Sequence, residues 1–172
     1  MYFLIKRRFG VFSGIISSIF YVLAPYTLLN MYVRGDIAES LGLGFFVLFL
    51  LSIDLFVHSK RHVGFVIFSW TCLVLSHNIT AAIGSGIGLL FFFMLAIKSK
   101  DKKKLFLQFI ISGLLVTLLT AFFWVPVVFE TAQTKLVQLT EDYTHFFPTF
   151  RELIYSPWGF GPFKEGISPG KM

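Results

Sequence analysis

Five apolar runs separated by short polar clusters constrain this chain more than any other feature. They cover residues 9–29, 37–57, 63–76, 79–97 and 105–126. A helix needs about 20 largely apolar residues to cross about 30 Å of hydrocarbon, and in lipid every backbone polar group must be satisfied within the fold. The runs therefore predict an all-α, multi-pass transmembrane bundle of about five spans. Composition agrees: 56% of residues are hydrophobic and 14% charged, where a soluble domain carries about 25% charged residues. A mean hydropathy of +0.78 over 172 residues leaves more apolar surface than one small water-soluble core can hide. Soluble enzymes, disordered linkers and disulfide-stapled domains are excluded, the last because Cys72 is the single cysteine. The net charge of +6 does not point to nucleic acid, because the basic residues fall in clusters between apolar runs. Membrane lipids are the expected partners.

The third and fourth runs form one apolar block interrupted at Ser76-His77-Asn78. Unbroken, the block is too long for one crossing without extreme tilt. Split there, it becomes a short hairpin, and Lys6-Arg7-Arg8, Lys60-Arg61 and the Lys98–Lys104 cluster share one face. That face then holds 10 of the 15 basic residues, which the positive-inside rule assigns to the cytoplasm. The expectation is a protein of the cytoplasmic membrane with its N-terminus inside and its C-terminus outside. Seven of the nine acidic residues then lie outside, leaving Asp54, expected to pair with Lys60 or Arg61, and Asp101.

Residues 1–126 form the expected membrane region and residues 127–172 an outer segment. Residues 127–139 have the spacing of an amphipathic interfacial helix. Beyond them Tyr143, Phe146, Phe147, Phe150, Tyr155 and Trp158 are interleaved with prolines. Aromatics at that density beside a bilayer act as interfacial anchors or as the wall of a groove.

The polar residues that carry chemistry project onto the outer face. Arg34 is suited to bidentate capture of a phosphate or pyrophosphate, with Gly35 permitting close backbone approach. Asp36 and Glu39 either orient Arg34 or a metal, or form a capping pair for the second span. His77 and Asn78 are a polar pair at the turn of an apolar hairpin, costly there without partners; the plainer reading makes Asn78 the N-cap of the fourth span. Glu130 either joins this cluster or is an exposed charge on the interfacial helix. His58 and His62 have helical spacing but no third ligand, and read as solvated. Gly84, Gly86 and Gly88 with Ala81 and Ala82 make a small-residue face for close helix packing. No catalytic residue is assigned and no cofactor is evident; a divalent metal is compatible with the residues but not indicated by them.

The stretch Ala24-Pro25-Tyr26-Thr27-Leu28-Leu29-Asn30-Met31-Tyr32-Val33-Arg34-Gly35-Asp36-Ile37-Ala38-Glu39, then Leu75-Ser76-His77-Asn78, then Phe123-Trp124-Val125-Pro126 with Glu130, resembles the 6-pyruvoyl-tetrahydropterin synthase-related membrane proteins. That family is similar in layout to the GT-C glycosyltransferases, which move a sugar from a polyprenyl-phosphate carrier at the outer membrane face. The resemblance implies a GT-C-like bundle with a polyprenyl-phosphate-sugar donor. In it Arg34 would hold the leaving phosphate, His77 and Asn78 would contact donor or carrier, and Asp36 and Glu39 would orient Arg34 or bind sugar hydroxyls. Such enzymes usually carry a catalytic Asp in an outward loop after their first span. This chain shows no such earlier loop and is expected to be an internal piece of a longer protein, inactive alone. A non-catalytic lipid- or glycolipid-binding or transport subunit, or a structural membrane protein, is the alternative.

Overall fold

The computed structural model describes residues 1–99 and 101–130. The chain divides into two compact units, residues 1–124 and 125–172, and only 125–130 of the second are described. The described residues are helical, with no strand among them. The helices are α1 (Tyr2–Val22), α2 (Pro25–Leu29), α3 (Ile37–His58), α4 (Val63–Ser76), α5 (Asn78–Ala96), α6 (Lys102–Leu119) and α7 (Ala121–Glu130). A π-helical turn, Asn30–Arg34, extends α2, and a 3-10 turn, Lys60–His62, leads into α4.

Local chemistry explains where the helices start and stop. In α1 Gly10 has φ 88° and ψ 174°, a conformation that glycine adopts without steric cost. The kink sets the basic turn around Arg7 and Arg8 apart from the apolar stretch that follows. The first run was expected unbroken over 9–29; it breaks before Pro25, whose ring pushes Ala24 out of the helical region to ψ 133°. The segments on either side are bent by 40°. The block at 63–97 is split as expected, because His77 is extended (φ −157°, ψ 122°). The cap of α5 differs from expectation. His77, not Asn78, is the N-cap, its Nδ1 accepting from the Thr80 N–H at 3.3 Å. The fifth run, expected unbroken over 105–126, is interrupted at Thr120, whose hydroxyl donates to the Val116 carbonyl at 2.8 Å and so competes with the helix ladder. Trp124 Nε1 donates to the Thr117 carbonyl, 3.0 Å away, across this break.

By length and composition α3 and α5 each suffice to cross a membrane. The number rises to four if Tyr2–Val22 with Pro25–Arg34, and Lys102–Leu119 with Ala121–Glu130, each make one span. With 14 residues, α4 rises only about 21 Å and falls short of a full crossing by itself.

The core lies between α3, α4, α5 and α6. Phe49, Ile53 and Phe56 of α3 meet Val66 and Leu73 of α4, Phe92 and Ala96 of α5, and Leu105 and Phe109 of α6. Phe92 and Phe109 stack with centroids 3.9 Å apart, and Phe49 stacks on Trp70 at 4.9 Å. Within this apolar packing the buried hydroxyls of Ser52 and Ser69 satisfy each other at 2.9 Å. The small-residue face of α5 works at two positions. A Cβ on Gly84 would lie 2.9 Å from the Phe46 ring and one on Gly88 2.3 Å from the Phe49 ring, whereas Gly86 faces open space. Many large apolar side chains point outward, among them Phe12, Phe20, Ile83, Leu90, Met94 and Leu118. That surface suits lipid rather than water.

The two ends of this bundle differ in chemistry. At one end Lys60 Nζ donates to Asp101 Oδ2 at 2.7 Å, which brings the α3–α4 and α5–α6 connections together. That hydrogen bond and the ammonium charge hold the Asp101 carboxyl below the usual carboxylate range. Asp54, expected to pair with Lys60 or Arg61, is instead held by Arg7 Nε at 2.9 Å and by Arg8. The kink at Gly10 is what lets the first two turns of α1 present both guanidiniums to it. The opposite end carries Asp36 and His77, where α3 and α5 begin.

Candidate functional site

The cluster at that second end is assembled by one tight sequence of turns. The π turn closes where the Asp36 N–H donates to the Asn30 carbonyl at 3.0 Å, and Gly35 (φ 64°) supplies the left-handed step that α3 needs to begin. Asp36 then caps α3, its Oδ1 accepting from the Glu39 N–H at 2.9 Å. Capping and site membership, alternatives in the sequence, coincide at Asp36. Glu39 does not complete the capping box with its side chain. Its carboxylate turns to the neighbouring segments, accepting from the Tyr26 hydroxyl and from Arg34 Nη1, the latter at 3.0 Å.

Arg34 Nη1 also donates to Asn30 Oδ1 at 2.9 Å. Nη1 is thereby committed, and an incoming oxyanion would meet the Nη2 side, where Asp36 Oδ2 stands 3.8 Å away, beyond hydrogen-bond length. The Arg34 side chain remains 47% exposed while that of Glu39 is only 10% exposed, so the guanidinium is the accessible member of the pair. Asn30 is wholly buried, and its Nδ2 has no hydrogen-bond partner among the described residues. A buried donor beside a guanidinium favours an acceptor-rich neighbour.

His77 reaches the same cluster from the α4–α5 hinge. Gly42 makes this possible, since its missing Cβ would stand 3.3 Å from both His77 Cβ and Thr80 Cβ. Asp36, Glu39 and His77 each bring one ligand atom to within 4.8 Å of the others. Two carboxylates and an imidazole are a donor set that a divalent cation accepts. The formal charge of Arg34, Asp36 and Glu39 together is negative, which a bound cation would offset.

Asn78 is not part of this cluster. It lines a separate cavity of about 460 Å³ with Trp70, Ala81, Ser85, Thr117 and Trp124. Glu130 is the last residue of α7, in the second unit, and the aromatic segment beyond it lies outside the described residues. Of the expected site residues, the structure thus brings together Arg34, Asp36, Glu39 and His77. Sequence reasoning missed Tyr26, Asn30, Gly42 and Thr80. Tyr26 and Asn30 were detectable, because with Arg34 they repeat every fourth residue along one helical face.

An apolar groove begins at the cluster. A cavity of about 230 Å³ has Tyr26 and Glu39 at its polar end and continues over Leu43, Phe46, Ile83 and Ile87 between α3 and α5.

A family model described as "6-pyruvoyl-tetrahydropterin synthase related domain; membrane protein" matches residues 1–164. No curated protein and no solved structure matches the chain.

Proposed function

Because the chain belongs to the 6-pyruvoyl-tetrahydropterin synthase-related family of membrane proteins, we propose that it is part of a GT-C-like membrane glycosyltransferase. On this reading the Arg34 cluster binds the phosphate of a polyprenyl-phosphate-linked sugar at the outer face of the cytoplasmic membrane. The supporting observation is the continuity of that charged cluster with the groove over Leu43, Phe46, Ile83 and Ile87. A charged head beside an apolar trough matches a ligand that is a phosphate on a prenyl chain. The basic residues at the opposite end of the bundle orient the cluster outward under the positive-inside rule.

In the proposed reaction an acceptor hydroxyl oxygen attacks the anomeric carbon. The bond from that carbon to the phosphate oxygen breaks, and the hydroxyl proton passes to a base that the described residues do not identify. Arg34 stabilises the negative charge that develops on the departing polyprenyl phosphate. Glu39 and Asn30 fix the guanidinium through Nη1, and Asp36, Glu39 and His77 would be the residues to hold a divalent cation, which would supply further positive charge to the site. Asn78, in its own cavity, is left to line a path for the carrier or the acceptor.

Arg34→Ala is the direct test. A charge-assisted hydrogen bond contributes about 1.5–3 kcal/mol, so the substitution is expected to weaken binding of a polyprenyl-phosphate-linked sugar by about tenfold or more. The chain reconstituted in lipid discs, titrated with that donor, gives the measurement, and protease mapping checks that membrane insertion is intact. Unchanged affinity in a properly inserted variant removes Arg34 from the site. Sugar transfer from that donor to an acceptor hydroxyl distinguishes an enzyme from a carrier-binding subunit, which would bind the same donor without turnover.

A further inference from the structure

The basic end of the bundle holds a second cavity that the proposed function does not use. Its volume is about 460 Å³, and Arg7, Arg8, Lys98, His58 and Asp54 contribute its polar wall. Phe91, Met94 and Leu95, on consecutive turns of α5, form an apolar wall. Three permanent cations face one carboxylate, so the cavity keeps an excess of two positive charges with His58 neutral.

The cations are arranged rather than merely abundant. The Asp54 side chain is 1% exposed and accepts from both Arg7 and Arg8, which fixes the two guanidiniums side by side while leaving them 40% and 34% exposed. The Arg8 guanidinium also lies over the Phe91 ring, 5.4 Å from its centroid. His58, one turn further along α3, meets the Asp54 backbone carbonyl through Nδ1 at 2.7 Å. The part-exposed guanidiniums thus retain N–H groups in a preset orientation, and Lys98 lines the same cavity.

We propose that this cavity binds a phosphate-bearing anion, with the two arginines and Lys98 gripping the phosphate oxygens. The apolar wall of Phe91, Met94 and Leu95 fits the glycerol and first acyl carbons of an anionic phospholipid, because basic pockets between membrane helices are suited to such head groups. Inorganic phosphate offers the same oxygens without the apolar part. The site is independent of the Arg34 cluster at the other end of the bundle, so the two readings fail separately.

Lipid retention by the purified chain tests it. The detergent-solubilised protein is titrated with phosphatidylglycerol or phosphatidylcholine, and bound lipid is counted by native mass spectrometry. Phosphatidylglycerol is expected to be retained several-fold more than phosphatidylcholine. Lys98→Gln, an exposed substitution that leaves Asp54 with both arginines, is expected to lower the phosphatidylglycerol affinity by about tenfold, the ratio for about 1.4 kcal/mol. Asp54→Asn weakens the anchor that sets the two guanidiniums side by side and is expected to lower it as well. Competition with millimolar inorganic phosphate identifies the source. Displacement of the lipid supports a site for the free anion as well, and undiminished retention supports a lipid site. Equal retention of the two lipids together with no binding of phosphate overturns the proposal. So does an unchanged affinity in both Lys98→Gln and Asp54→Asn while each variant melts as the parent does.

Discussion

Replacing Arg7 and Arg8 together by glutamine is expected to destabilise the bundle by about 3–5 kcal/mol, the cost of leaving a buried ionised group without its partners. The carboxylate of Asp54 is 1% exposed, and both of its guanidinium partners come from the same turn of α1. With them gone, Asp54 either stays charged in apolar surroundings or takes up a proton, and either state is worse than the paired one. Thermal unfolding in lipid discs measures the loss. Adding Asp54→Asn to the double variant should restore most of it, because the neutral amide no longer needs a counter-charge. A double variant as stable as the parent, or a triple variant no better than the double, contradicts this account of the ion pair.

The second large effect concerns packing. Gly88→Ala is expected to destabilise by about 1–3 kcal/mol, the usual range for overpacking a filled core. The added methyl would stand 2.3 Å from the Phe49 ring. That ring is fully buried and stacked on Trp70, so it has no free volume to enter. Gly86→Ala, two residues away, meets nothing within 4 Å. It should be neutral or stabilise by up to about 1 kcal/mol, the helix preference of alanine over glycine. A lowered melting temperature for Gly88→Ala beside an unchanged or raised one for Gly86→Ala tests the packing of α3 on α5 at single-residue resolution. Equal shifts would mean that the two helices are farther apart.

What the sequence disclosed and what it concealed follow a physical division. Apolar runs and the polar break at His77 were legible because hydropathy and helix length are local properties, and α3 to α5 begin and end close to where composition placed them. Breaks at Ala24 and Thr120 were missed although Pro25 marked the first, because hydropathy continues smoothly across both. Pairing of charges was the least legible. Asp54 has basic residues six and seven positions ahead in sequence, yet it binds Arg7 and Arg8, 47 and 46 positions behind, because the kink at Gly10 carries them across. The site shows the same limit. Arg34, Asp36 and Glu39 are neighbours in sequence and were found together, whereas the approach of His77 depends on Gly42, a residue with no side chain to notice. Asn78 was grouped with His77 by adjacency, but the extended backbone at His77 and the helical start at Asn78 separate them: His77 joins the two carboxylates, and Asn78 lines a cavity of its own.

The π turn at Asn30–Arg34 has a consequence for how this segment can change over evolutionary time. A wider turn of that kind accommodates one residue more than an α-helical turn of the same rise. Losing a single residue there would let the backbone relax into an ordinary α-helical turn with its flanks nearly in register, yet would shorten the spacing from Asn30 to Arg34 by one position. The Nη1 contacts to Asn30 and Glu39, set by the wide turn, would then have to be rebuilt. Point substitutions can therefore drift at the exposed Met31, Tyr32 and Val33, while the length of the turn is held fixed, and insertions or deletions among relatives should cluster on either side of it rather than within.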